Sequence, residues 1–246
     1  DLDLARKHGI HRYGFHGIAH ASLVGVCAAA VNRPLAQLRL ITLQLGNGCS
    51  ATAIDRGRSV DTSMGFTPLE GLVMGTRSGD VDPAVVGHLV RREGLSVDEV
   101  ERLLNERSGL LGVSGLSRDM RELLNAAEGK PDSRAALALD MFCYRVRKYI
   151  GAYLAVLGGA DAIVFGGGIG ERSAIIRARI CEGMGWCGLR LDRSRNEAAV
   201  QVAPGEAVRI SEASAPISCY VAGVDEEMEI ARATFDCLQK RSPRRS

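Results

Sequence analysis

The sequence predicts an α/β domain, and three observations carry that prediction. In "LRLITLQLGNGCSATAIDRGRSVDT" (38–62), Ile41, Leu43 and Leu45 alternate with Thr42 and Gln44. Turn signals at Gly46-Asn47-Gly48 and Asp55-Arg56-Gly57-Arg58 then fold this segment into a β-meander. "DAIVFGGGIGERSAIIRARI" (161–180) reads as a buried strand, a Gly-rich turn and a helix. Helical patterns lie before, between and after these strands, and interleaved order of this kind specifies an α/β architecture. Apolar residues make up 46% of the 246-residue chain, enough for a real core.

The elements follow in order. "HGIAHASLVGVCAAAVN" (16–32) has apolar residues at helical spacing, and the meander comes next. Pro83 starts a helix that runs to about Arg92. Ser96-Val97-Asp98-Glu99 is a capping box for another, ending near Arg107. "GLLGVSGLS" (109–117) reads as a loop, with helices over 118–128 and 132–157 after it. The later strands are "AVRIS" (207–211) and "PISCYVA" (216–222), and "DEEMEIARATFDCLQK" (225–240) is a closing helix. No repeat or interdomain linker interrupts this order.

Composition narrows the function. The net charge of +2 gives no basis for nucleic-acid binding. The basic "KRSPRR" (240–245) reads as a solvated end. Seven dispersed cysteines without a CxxC pair indicate reduced thiols and a cytoplasmic protein. No Cys/His group has zinc spacing, and no apolar run is long enough to cross a membrane. Glycine is abundant (29 residues) and aromatics scarce at 4%, a balance suited to tight turns and close backbone approach to a ligand.

Five segments carry candidate chemistry. "VFGGGIGE" (164–171) takes a strand through glycines into a helix, where free N–H groups can meet a phosphate. Its spacing matches neither the dinucleotide nor the Walker pattern, so a plain strand-to-helix turn is the competing reading. "LGNGCS" (45–50) is a hairpin whose tip can grip phosphoryl oxygens with amides and Asn47. Asn-Gly is equally the preferred pair of a type I′ turn. "SVDTSMGFTPLEGLVMGTRSGDVDP" (59–83) sets Arg77 in a Gly-flanked, flexible-looking stretch. It is placed to clamp a carboxylate or phosphoryl group, or to pair with Asp80 or Asp82 on the surface. His16 and His20 are one helical turn apart, without further metal ligands in view, and His16 stands where its helix begins. Asp225, Glu226 and Glu227 open the last helix, as the helix dipole favours, and a carboxylate there can also serve Mg²⁺ beside a phosphate.

Together "RYGFHGIAH" (12–20), "LGNG" (45–48), "DTSMGFTPLEGLVMGTRSGDVDP" (61–83), "FGGGIGERS" (165–173) and "DEEMEIA" (225–231) resemble the acetate kinase family, with its propionate and butyrate kinase relatives. The long middle motif is the most specific and favours the acetate/propionate branch. The resemblance implies the actin-like ATPase (ribonuclease H-like) fold, with ATP held between two related α/β domains. It implies Mg²⁺-dependent transfer of the γ-phosphoryl of ATP to a short-chain carboxylate, giving acyl phosphate and ADP. Such chemistry rests on positioning and charge neutralisation.

Carried onto matching positions, the resemblance makes Arg77 the carboxylate and phosphoryl clamp and His16 a second donor to the transition state. Gln44, Leu45, Gly46, Asn47 and Gly48 form one nucleotide loop; Asp119, Met120 and Arg121 line the adenosine pocket. Gly168, Ile169, Gly170, Glu171 and Arg172 form a second nucleotide loop, and Glu226 is a Mg²⁺ ligand. Gln44 stands where the family commonly has His, and Arg172 where it has Asn. The resemblance further implies a homodimer. The family's first phosphate motif, a second arginine, a further histidine and a catalytic aspartate have no counterpart in these residues. The expectation is a second domain over 1–224 and a terminal helix and tail over 225–246 that packs on a preceding domain, nearly inactive alone. The alternative expectation is a non-catalytic nucleotide- or partner-binding paralogue.

Overall fold

The alternating segment folds as its period dictates. Strands β1 (Arg39–Leu45), β2 (Cys49–Asp55) and β3 (Arg58–Thr62) pair antiparallel, with Leu45 opposite Cys49 and Arg39 opposite Asp55. β4 (Ala162–Gly166) lies parallel to β1 on its other side. β5 (Ala207–Arg209) and β6 (Ser218–Ala222) complete a mixed sheet of order β3-β2-β1-β4-β6-β5, in which β6 is parallel to β4 and β5 antiparallel to β6. The computed structural model describes residues 1–241. The basic tail expected over 240–245 therefore lies, from residue 242 on, outside the described residues.

Helices cover both faces of the sheet. Their order is α1 (Leu2–His8), α2 (Gly17–Val31), α3 (Ala84–Glu93), α4 (Val97–Glu106), α5 (Gly109–Ser114), α6 (Met120–Ala127), α7 (Arg134–Leu157), α8 (Gly167–Arg172), α9 (Ala174–Cys181), α10 (Arg193–Ala198) and α11 (Glu226–Arg241). Ile41, Leu43, Leu45, Ile163 and Phe165 face the main core beneath α7, which contributes Leu139, Phe142, Val146 and Ile150. Leu40, Ile54, Val164 and Tyr220 face α2, whose Leu23, Val24 and Cys27 close a second core. Covered on both sides, β4 is buried along its whole length and reads as a continuous apolar run. Burying one leucine or isoleucine side chain in such a core contributes about 1.5–3 kcal/mol. Among the described residues, no helix is long and apolar enough to cross a membrane.

The capping box forms as written: Ser96 Oγ accepts from Glu99 N at 3.2 Å, and Ser96 N donates to Glu99 Oε2 at 2.7 Å. Two expectations need correction. Residues 109–114 are helical, not a loop, because Leu110 N and Leu111 N donate to Met74 O and Gly75 O and Leu110 is fully buried. The glycine turn after β4 is itself the helix α8. Helices α1 and α10, which lack an apolar stripe, are begun by Asp1 and Asp192, whose carboxylates accept from nearby backbone amides.

The 59–83 stretch is anchored rather than flexible. Met64, Leu72 and Met74 are fully buried in the main core. Asp80 locks the stretch by accepting from Gly71 N (2.8 Å), Arg145 Nη1 (2.7 Å) and the Tyr149 hydroxyl (2.9 Å). Ser78 N donates to Leu104 O, and Ser108 N to Thr76 O. The glycines and polar residues thus serve a tightly wound connection whose apolar residues point inward.

Candidate functional site

Strands β1, β4 and β6 are mutually parallel neighbours, so their C-terminal ends lie side by side. The Gly46–Gly48 loop follows the first, α8 the second and the acidic start of α11 the third. Ligands in open α/β sheets bind outside these carboxyl ends. Segments far apart in sequence thereby meet at one sheet edge.

A cavity of about 810 Å³ opens there. Gly46 and Asn47, Asp119 to Arg121, and Gly168, Ile169 and Arg172 all line it, so the three predicted nucleotide segments share one space. Arg118, Leu124, Ser173, Ala174, Ile175 and Val200 complete the lining and were not singled out from sequence. Their signal is adjacency alone: each except Val200 sits one to three positions from a predicted residue. Asp119 caps α6 and pairs with Arg121 at 2.6 Å, and the Arg121 side chain holds its carboxyl down to about 2. Arg118 and Arg172 have no carboxylate within 4.0 Å among the described residues.

The hairpin tip is not a type I′ turn. None of Gly46, Asn47 and Gly48 has positive φ, and the three-residue loop closes by Gly46 N donating to Gly48 O at 3.1 Å. Asn47 is exposed at the cavity, and its carbonyl accepts from Gly75 N at 3.1 Å. A Cβ on Gly75 would lie 2.5 Å from Asn47 Oδ1, so glycine there lets the amide lie against the 59–83 segment.

Arg77 and His16 flank Gly48. A Cβ built on Gly48 would lie 3.4 Å from Arg77 Nη1 and 3.5 Å from both Cε1 and Nε2 of His16. Arg77 pairs with neither Asp80 nor Asp82; its contacts are Pro68 O at 3.4 Å and the sulfur of Met74 at 3.8 Å. The surface ion pair considered from sequence is therefore absent, and among the described residues the guanidinium keeps free donors. His16 N-caps α2 in the left-handed region at φ 59°, which aims its ring back over the loop. Burial lowers its pKa below the ordinary value; Glu226 opposes that shift and Arg77 adds to it, which places all three groups in one field. Cys49, next to this loop, is pushed by burial up to about 12 and stays a neutral thiol.

Five of the predicted nucleotide residues do not line the cavity. Leu45 is fully buried in the core, so it offers only backbone. Gly48 lies at the His16 and Arg77 side. Gly170 is buried within α8. Glu171 Oε1 accepts from Gly167 N at 3.0 Å, so the first amide of α8 is occupied by the chain's own carboxylate. Gln44 lies opposite Ser50 and Gly166 in the sheet, and its Oε1 is buried without a partner. Gly167 itself has φ +76°, and a Cβ there would meet Leu45 O at 2.7 Å, so only glycine lets α8 close on β1.

Arg177, unremarked in the sequence, braces this wall. It is fully buried and donates to Gly170 O, Glu171 O, Asn196 Oδ1, Asn196 O and Ala199 O at 2.7–2.8 Å. It satisfies carbonyls at the C-terminal ends of α8 and α10, where a cation is favoured. Burial lowers its pKa to about 10, and it remains charged at neutral pH.

Among the described residues, Glu226 and Glu227 at the start of α11 are exposed carboxylates without an ion-pair partner. Asp225 is committed as a cap, accepting from Met228 N at 2.9 Å. Among the described residues no cluster of three or more His, Cys, Asp and Glu could hold a metal. The donor set fits a Mg²⁺ ion carried by a nucleotide, with one protein carboxylate and the phosphates as ligands.

Residues 1–232 match the model of the acetokinase family. The chain is 49% identical over 236 residues to an acetate kinase of Chloroherpeton thalassium, covering 96% of this chain and 56% of that protein. It is 47% identical over 237 residues to an acetate kinase of Methanosarcina thermophila, covering 96% and 57%. Among solved structures, the acetate kinase of Porphyromonas gingivalis superposes with a TM-score of 0.91 at 41% identity, over 96% of this chain and 58% of that one. A propionate kinase from Francisella tularensis gives 0.86 at 39% identity, over 94% and 57%. The α/β, actin-like ATPase fold expected from the motifs is the fold these likenesses support. The chain spans a little over half the length of the relatives it matches.

Proposed function

The chain belongs to the acetokinase family, and on that premise we propose that it carries one wall of a kinase moving the γ-phosphoryl group of ATP onto a short-chain carboxylate. One observation carries the reading: His16 and Arg77 flank Gly48, beside Gly46 and Asn47 at the cavity. A nucleoside seated between the 118–121 segment and α8 would direct its phosphates toward that pair. A carboxylate oxygen attacks the γ-phosphorus, the bond to the β-phosphate oxygen breaks, and ADP leaves.

Such a transfer needs neutralisation of the transferring oxygens more than covalent help. Arg77 supplies a fork of donors for the carboxylate and phosphoryl oxygens, His16 a second donor, and the Asn47 amide a contact to phosphate. Glu226 would hold Mg²⁺, which neutralises charge on the phosphate oxygens. Acetate or propionate fits the similarity to both kinds of kinase.

In this reading, residues 1–224 form one domain of the enzyme, and the remaining length of the relatives supplies the facing wall. α11, with Met228, Ile230 and Phe235 exposed, would rest on that wall. The enzyme would be a cytoplasmic homodimer, in keeping with the free cysteines. The test is acyl hydroxamate formation from acetate, ATP, Mg²⁺ and hydroxylamine by a polypeptide of the relatives' full length that contains this chain. Product is expected; a folded protein that yields none with acetate or propionate would sink the reading.

A further inference from the structure

His16 does not stand alone at the site. Its Nδ1 lies 2.9 Å from Ser50 Oγ. Ser50 Oγ lies 2.7 Å from His20 Nε2, and His20 Nδ1 lies 2.8 Å from Thr42 Oγ1. Thr42 and Ser50 are fully buried and His20 is nearly so. This unbroken file of side chains runs from inside the α2 face of the sheet to the Gly48 loop beside Arg77. We infer that Thr42, His20 and Ser50 are positioning residues that hold His16 as its neutral tautomer protonated on Nε2, with that N–H offered at the phosphoryl end of the site.

The direction of the file follows from hydrogen counting. Among the described residues, Thr42 Oγ1 has one hydrogen-bond partner, His20 Nδ1. A buried hydroxyl that fails to donate leaves its hydrogen unpaired, at a cost of about 1–3 kcal/mol. Thr42 therefore donates to His20 Nδ1, and that nitrogen is the acceptor. His20 is held neutral, since burial lowers its pKa to about 3, so its single hydrogen is on Nε2 and goes to Ser50 Oγ. The Ser50 hydrogen is then left for His16 Nδ1. With Nδ1 accepting, the neutral His16 ring carries its hydrogen on Nε2, the atom beside Gly48 and Arg77. A hydrogen on Nδ1 would leave the buried Ser50 hydrogen without an acceptor, or would force the whole file to reverse and orphan Thr42. The burial that lowers the pKa of His16 acts in the same sense.

The consequence deepens the kinase reading and rests on it for its catalytic meaning. The site would present one permanent cation, Arg77, and one neutral donor, His16. The tautomer itself is a property of the chain alone. It is read by long-range ¹H–¹⁵N NMR of the ¹⁵N-histidine-labelled 246-residue chain at pH 7.5. The His16 Nδ1 signal is expected in the unprotonated range and Nε2 in the protonated range, with the same pattern for His20. Nδ1–H at His16, or two protonated nitrogens, would overturn the inference. Ser50→Ala and the near-isosteric Thr42→Val are each expected to give mixed tautomers at His16. A single unchanged tautomer in a folded variant of either kind would also overturn it. In the hydroxamate assay, Ser50→Ala is expected to lower turnover roughly tenfold to a hundredfold, with KM for ATP changed less than twofold. Absence of product from the unsubstituted enzyme would count against the kinase reading while leaving the NMR result in force.

Discussion

Arg177 braces α8, which lines the cavity, and Arg77 lies beside Gly48, and their donors are used in opposite ways. Arg177 is fully buried, and its guanidinium is spent on five carbonyl or amide oxygens of the fold. Arg77 is half-buried and reaches one long backbone contact and a sulfur. Neither has an acidic partner within 4.0 Å among the described residues. The lack of an acidic partner thus does not separate the two cations. Whether the donors are already satisfied does: a spent guanidinium holds the wall, and an unspent one keeps donors that an anion can take. The two histidines repeat the contrast, with His20 bonded at both ring nitrogens and His16 at one.

The contrast breaks most visibly at Arg177. Arg177→Met removes the brace and strands its acceptors, and is expected to cost roughly 4 kcal/mol in urea unfolding. A loss below about 1 kcal/mol would show that α8 and α10 do not depend on it. Arg77→Ala should behave in the opposite way. Stability should stay within about 0.5 kcal/mol of the unsubstituted chain, while hydroxamate formation by the full-length enzyme falls roughly 10²–10³-fold. Equal losses in both assays would erase the distinction.

The histidine pair offers a subtler break. With its pKa lowered to about 3, folded His20 stays neutral where the unfolded chain, near 6.5, takes up a proton. The stabilising contribution is complete above pH 6.5 and falls as pH drops toward 3, by about 1.4 kcal/mol per unit. His20→Gln should flatten that part of the stability profile; an unchanged slope would assign it to other groups. Gly48→Ala gives the smallest expected effect on the fold, within about 1 kcal/mol, because the new methyl meets only ordinary contact distances. It would fill the gap between His16 and Arg77, so turnover should fall while urea stability holds. Undiminished turnover would place the transferring group elsewhere.

Much of this was legible in the chain. The meander showed in the alternation around Ile41, Leu43 and Leu45, the helix after Ser96 in its capping box, and β4 in its apolar run. The misread parts share a cause. Residues 109–114 are helical because Met74 and Gly75 offer carbonyls from another segment. The 59–83 stretch has loop composition yet is pinned by Asp80 to Arg145 and Tyr149. Arg177 carried no local sign of burial, since its acceptors are carbonyls that any residue provides. Asp80 stands three positions from Arg77, where pairing with it was the competing reading, but its carboxylate turns to α7 instead.

The sequence by itself determined the local chemistry: which segments alternate, where helices are capped, where glycine is required, and which residue types can meet an anion. Those properties depend on neighbours within a turn or a hairpin. Only the tertiary structure decided which groups share the site. The parallel pairing of β1, β4 and β6 brings the ends of distant segments to one edge, and burial then settles which polar groups are spent. Arg77 remains available, Arg177 does not, and His16 is aimed by Ser50, because hydrogen-bond partners are assigned in space.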